Sequence, residues 1–127
     1  MAADLRKRRL ESLLAELISE IIARGRIRDP RLQRILAVTE VKASKDLHDA
    51  KVYISVVDRS TGKEGEDPRA RDARAEAIAA LNHAAGYVQH LVGGRLSLKV
   101  TPRLHFVLDT SIERGFNLSR KLEELSH

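Results

Sequence analysis

The chain has 127 residues, 43% hydrophobic and 32% charged, which supplies one buried core and too little length for two comfortable domains. It contains no cysteine, so disulfides, thiolate metal sites and cysteine nucleophiles are excluded. A net charge of +5 favours a polyanionic partner, whereas four aromatic residues (Tyr53, Tyr87, Phe106, Phe116) supply a base-stacking platform poorly.

In chain order, Arg6-Lys7-Arg8-Arg9 is followed by a segment interrupted by Glu11, Glu16 and Glu20. Neither a signal peptide nor a membrane span is expected there, and the chain reads as a soluble cytoplasmic protein. Leu10, Leu13, Leu14, Leu17, Ile18, Ile21 and Ile22 recur at helical spacing, with Gly25 placed as the C-terminal cap. Asp29-Pro30-Arg31 predicts a turn, since proline disfavours the helical region for the residue before it. Ile35, Ala37, Thr39, Val41 and Ala43 predict a strand with one buried face. Ala50, Val52, Ile54 and Val56 predict a second strand, close enough in sequence to pair antiparallel with the first.

Residues 58–67 predict a polar loop, and Asp67-Pro68 reads as a helix N-cap with proline at the first helical position. The helix that follows carries Ile78, Leu81, Ala85, Val88 and Val92 on one side and stops at Gly93-Gly94. Gly86 interrupts it at a cost of about 1 kcal/mol relative to alanine. Ala84-Ala85-Gly86 therefore predicts a bend between two helices that lets another backbone approach, and Gly86→Val is expected to straighten or strain it. Leu96, Leu98, Val100, Leu104, Phe106 and Leu108 share one phase of a third strand, and Pro102 within that run predicts an edge strand or a bulge. Thr110-Ser111-Ile112-Glu113 has capping-box spacing for a last helix over about 111–125, the candidate mobile element. The order predicts one α+β domain over 1–127, with helices on one face of a three-stranded sheet.

No constellation for catalysis emerges. His83 and His90 lie about 10 Å apart along a helix, no H-E-x-x-H occurs, and no serine sits in a nucleophile elbow, so neither an enzyme nor a metal or other cofactor is expected. The basic residues are more telling. Between Gly86 and Leu108 there is no acid, and Lys99, Arg103 and His105 occupy the phase opposite the apolar one, a stripe with about 7 Å between alternate residues, close to nucleic-acid phosphate spacing. Arg6 to Arg9 and Arg24, Arg26, Arg28 and Arg31 form further clusters. Gly62-Lys63-Glu64-Gly65 matches the phosphate-clamping GxxG loop, but it stands in a strand-to-helix connection beside Glu66 and Asp67, where acid would repel phosphate. The residues expected to meet nucleic acid are Lys42, Lys45 and Lys51 around the first hairpin, then Arg95, Lys99 and Arg103, with Arg28 and Arg31 as weaker members and Ala84, Ala85 and Gly86 at the bend.

Several stretches in order carry a resemblance: Asp29-Pro30-Arg31, Ser44-Lys45-Asp46-Leu47, Ala50-Lys51-Val52-Tyr53, Ala84-Ala85-Gly86-Tyr87, Pro102-Arg103-Leu104-His105-Phe106 and Asp109 to Gly115. Together they resemble the bacterial ribosome-binding factor A family over nearly the whole chain. The resemblance implies a type II KH-like domain, α-β-β-α-kink-α-β, with Ala84 and Gly86 filling the kink positions where other KH domains carry GxxG. It implies a non-catalytic monomer that binds the free, immature 30S ribosomal subunit through 16S rRNA. Assistance with late maturation, including 5′-end processing of 16S rRNA, and links to cold adaptation and ribosome-assembly GTPases are implied likewise. Gln89 departs from the family pattern, which usually has a basic residue there. The alternatives are another KH-like regulator that binds single-stranded RNA or DNA, and a protein-interaction domain whose charge serves solubility.

Overall fold

The computed structural model describes residues 2–32, 35–57, 68–96 and 101–110. The first element, α1 (Ala2–Ala23), ends in a paired-bond cap: the Gly25 amide donates to the Ile22 carbonyl at 3.0 Å, and the Arg26 amide to Ile21 at 3.1 Å. Gly25 takes φ +65, the left-handed geometry this cap requires and glycine adopts without a Cβ clash. Leu10, Leu14 and Ile18, four residues apart, are buried, whereas Leu13 stands on the flank at 41% exposure. A short 3-10 turn, Pro30–Leu32, follows.

Strand β1 (Ile35–Ala43) pairs antiparallel with β2 (Asp49–Val57), as the alternation predicts, and β2 pairs in parallel with β3 (Arg103–Leu108). The order is β1-β2-β3, with β2 central. Ala50, Val52, Ile54 and Val56 all enter the core. β1 departs from a single phase. Its register slips between Val38 and Glu40, so Leu36 and Val38 pack on the core before the bulge and Val41 and Ala43 after it. Ala37 and Thr39, expected inside, are exposed, because one extra residue in a strand transfers everything before it to the other face. The Thr39 hydroxyl donates to the Asp109 carboxylate, tying the two outer strands across β2.

Helices α2 (Pro68–His83) and α3 (Ala85–Gly93) lie against β3, and α1 lies against β1, so one face of the sheet is covered and the other open. Leu81, Val88 and Val92 are fully buried, each contributing about 1.5–3 kcal/mol through removal from water. Among the described residues the third strand runs from Arg103, just after Pro102, which is itself buried. It forms an edge of the sheet, as its proline predicts. Gly93 packs closely, since a Cβ there would meet Thr101 Oγ1 at 2.8 Å and push that side chain aside.

Side chains occupy both sheet borders. Glu11 Oε2 accepts the Ala43 amide at 2.8 Å on β1. On β3, Asn82 Oδ1 accepts the Phe106 amide at 2.8 Å while its Nδ2 donates to the Phe106 carbonyl at 2.9 Å, imitating one rung of a missing strand. The element order is that of the type II KH-like fold. The loop at 58–67, the helix expected over 111–125, and Lys99 lie outside the described residues.

Candidate nucleic-acid interface

Alternation along the strands decides which basic residues meet on the open face of the sheet. The registers Lys42↔Lys51 and Lys51↔His105 set three exposed side chains in one row across all three strands. Like charges placed directly opposite one another destabilise a sheet, so the Lys42–Lys51 pair has a cost that a bound anion would relieve. Lys42 Nζ lies 3.9 Å from Glu40 Oε1 and 5.7 Å above the centre of the Tyr53 ring. Both charged groups are more than half exposed, and such a pair contributes about 0–1 kcal/mol, leaving Lys42 readily redirected.

Lys45 sits in the β1–β2 turn, where Asp46 Oδ1 accepts the Ser44 hydroxyl at 2.7 Å and the His48 amide at 3.0 Å. These bonds, the hydroxyl's first, hold the Asp46 carboxyl below the usual carboxylate range. Leu47 takes φ +61 in the same turn, and Lys45 is left exposed beside the basic row.

The acid-free window around Arg103 and His105 does not yield an unbroken cationic stripe. Asp49 on β2 is in register with Arg103, and its Oδ1 lies 3.4 Å from Arg103 Nε and 2.9 Å from His105 Nε2. The sheet thus brings in a carboxylate from 54 positions away in the chain, counting from Asp49 to Arg103. Arg103 remains mostly exposed, so the pair is weak, but Asp49 subtracts from the local potential.

The remaining expected residues lie on the helical layer. Arg31 is held by its neighbour: Asp29 accepts Arg31 Nε at 3.1 Å, Nη2 at 2.8 Å and the backbone amide at 2.9 Å. The Arg31 side-chain bond, then its amide, lowers the Asp29 carboxyl to about 2, so it stays ionised at any physiological pH. Arg31 is thus engaged in the turn through its bonds with Asp29. Arg95, exposed after α3, faces Glu20 Oε1 at 4.0 Å and is separate from the sheet row.

The bend is at Ala84 alone, with φ −89 and ψ 3, and α3 starts at the next residue without a side-chain cap. Ala85 packs partly against the core. Gly86 is exposed, has no positive φ, and a Cβ built there meets nothing within 4 Å. A Cβ is therefore accommodated at this position, and the bend does not rest on the glycine itself. Gly86→Ala is expected to leave thermal stability unchanged or raise it by up to about 1 kcal/mol, read from urea unfolding. A loss of more than that would place an unseen contact at Gly86.

A second basic surface was visible only as a cluster. Arg24, Arg26 and Arg28, following α1, face His83, Ala84 and Tyr87 across a cleft of about 660 Å³. The arginine run is local in sequence, but its apposition to the α2–α3 junction is tertiary and has no local signal. Among the described residues no three of His, Asp and Glu stand close enough to hold a metal ion, and no helix is long and apolar enough to cross a membrane.

Comparison with known proteins agrees with the fold. Ribosome-binding factor A of Acetivibrio thermocellus is 38% identical over 120 residues, covering 93% of this chain and 89% of that one. The crystal structure of ribosome-binding factor A from Thermus thermophilus superposes with a TM-score of 0.61 at 27% identity, covering 80% of this chain and 93% of that chain. A homology model of the Thermus thermophilus factor, fitted into the cryo-EM map of its 30S complex, gives a TM-score of 0.57 at 27% identity, covering 80% and 93%. Residues 6–122 match the family model described as ribosome-binding factor A, and with these relatives the chain belongs to the ribosome-binding factor A family.

Proposed function

We propose that this chain binds the immature 30S ribosomal subunit through the phosphates of 16S rRNA and assists its late maturation, including processing of the 16S 5′ end. It acts as a single, monomeric, cytoplasmic KH-like domain without a catalytic step or cofactor of its own, and assembly GTPases act on the same particle. The observation that carries the reading is the fold shared with a relative fitted into a 30S complex. The exposed lysines Lys42 and Lys51, in register across β1 and β2 with Lys45 in the turn beyond them, support it, and the ion pair of Lys42 with Glu40 is a weak surface one.

Phosphate contacts position a protein without reading sequence. Each lysine removed from the row should therefore weaken binding across rRNA segments and reduce the slope of log K against log salt by about one unit. Sedimentation of a lysate at low and moderate salt tests the reading. The chain is expected with free small subunits, and not with large subunits or whole ribosomes. Its absence from the small-subunit peak would overturn the proposal, and recovery with mRNA or single-stranded DNA instead would favour another KH-like regulator.

A further inference from the structure

We propose that the groove between the second half of α1 and α3 is a docking site for an acidic segment of a partner protein. The segment seats an aliphatic side chain between the two helices and sets its carboxylates on the arginines around them. The groove belongs to the helical layer, so the proposal is independent of how the open sheet face is used.

Its floor and walls are apolar. Leu17 and Ile21 of α1 face Leu91 and Val92 of α3 around a cavity of about 140 Å³. Cavities of about 150 Å³ lined by Leu, Ile and Phe stay dry and take up benzene, so one leucine-sized side chain fits here. A nucleotide does not: sites for ligands of that size run from about 300 Å³ upward, and no aromatic ring stands among the lining residues. Leu17, Ile21 and Leu91 are each only partly buried. Leu13, one turn before Leu17 on the same row of α1, is 41% exposed and extends the apolar track beyond the cavity.

The rim decides the charge of the occupant. Arg24, Arg26 and Arg95 stand around the apolar floor with a single acid, Glu20. Glu20 Oε1 is shared, at 3.0 Å from Arg24 Nη2 and 4.0 Å from Arg95 Nη2. A guanidinium carries several N–H donors in a planar fork, so one carboxylate oxygen between two such groups saturates neither. Both side chains are more than half exposed and open to a second carboxylate. A second copy of this chain fits poorly. Its most exposed large apolar side chain among the described residues, Leu5, is flanked by Arg6, Arg8 and Arg9 and would bring cations against cations.

Fluorescence anisotropy on the full chain tests the site, with a labelled glutamate-rich peptide that carries two leucines one helical turn apart. A second peptide has serine in place of both leucines. The leucine peptide is expected to bind, and the serine peptide to bind about tenfold more weakly. Arg24→Gln and Arg95→Gln should each weaken the leucine peptide about threefold and flatten its salt dependence. Leu13→Ala should weaken it while leaving the salt dependence as it is. These three side chains are exposed, so unchanged thermal unfolding verifies that the variants are folded.

No binding of the leucine peptide, or equal binding of the two peptides, would overturn the site. So would concentration-dependent dimers that Leu13→Ala disperses, which would give the groove to a second copy. Displacement of the leucine peptide by an rRNA oligonucleotide, whose own binding falls with Arg24→Gln and Arg95→Gln, would make the arginines a phosphate site instead. Small-subunit sedimentation of the unaltered chain is a separate readout, so failure here leaves the rRNA reading standing.

Discussion

Leu81→Ala is expected to lower the free energy of unfolding by about 3–5 kcal/mol, with a fall in Tm of about 10–20 °C. Leu81 is fully buried on α2 and belongs to the cluster that includes Ile54, Val88 and Phe106. Removing its side chain loses the transfer free energy and leaves a cavity that close-packed neighbours fill only in part. Domains of this size are stable by only about 5–15 kcal/mol, so the change consumes a large part of the margin. Leu13→Ala is the control: at 41% exposure it should cost under about 0.5 kcal/mol. Urea unfolding of both variants decides the matter, and similar losses at the two positions would contradict the packing described.

Asn82→Ala should be the most damaging substitution of an exposed residue, at about 2–3 kcal/mol, because two hydrogen bonds to the buried Phe106 backbone vanish together. Exchange of the Phe106 amide proton should accelerate in parallel. Asn82→Asp gives a sharper reading. At neutral pH the carboxylate can still accept the Phe106 amide, but it cannot donate to the carbonyl and sets charge beside it. Protonation restores a donor, so the carboxyl is raised in the folded state. The stability it offers is then full at low pH and lost as pH rises through its folded value. Asn82→Asp should therefore approach the parent in acid and fall below it near pH 7. A pH-independent penalty would mean that the Phe106 carbonyl does not need its partner.

Where side-chain spacing alone determined burial, it was readable from the chain. The Leu10–Leu14–Ile18 stripe and the alternation from Ala50 to Val56 each follow from a single uninterrupted period. β1 was harder, because an extra residue at Thr39 reverses the buried phase, and nothing in Val-Thr-Glu announces a bulge. The same limit applies to the candidate interface. Lys42 and Lys51 were recognisable as a hairpin pair, but Asp49 enters the Arg103–His105 stripe through parallel pairing, which joins segments that no local pattern relates. Nothing in Asp29-Pro30-Arg31 announces that the Arg31 guanidinium bonds both oxygens of Asp29. The bend was legible from Ala84-Ala85-Gly86, though Ala84 carries it, and the glycine has a bare, exposed position that the fold does not demand.

On the proposed function, that bend bears on how the chain would engage a ribosomal subunit. Only one residue separates α2 from α3, and the helical ladder continues on both sides of it: the Ala84 amide donates to Ala80, and the Val88 amide to Ala84, each at 3.0 Å. The two helices therefore behave as one angled rod, with no slack segment to be ordered on contact. Docking through this corner forfeits little conformational entropy, so its binding free energy is not diverted into folding a loop. Contact through this corner would then be of the rigid-body kind, the α2–α3 pair keeping its shape before and after the encounter.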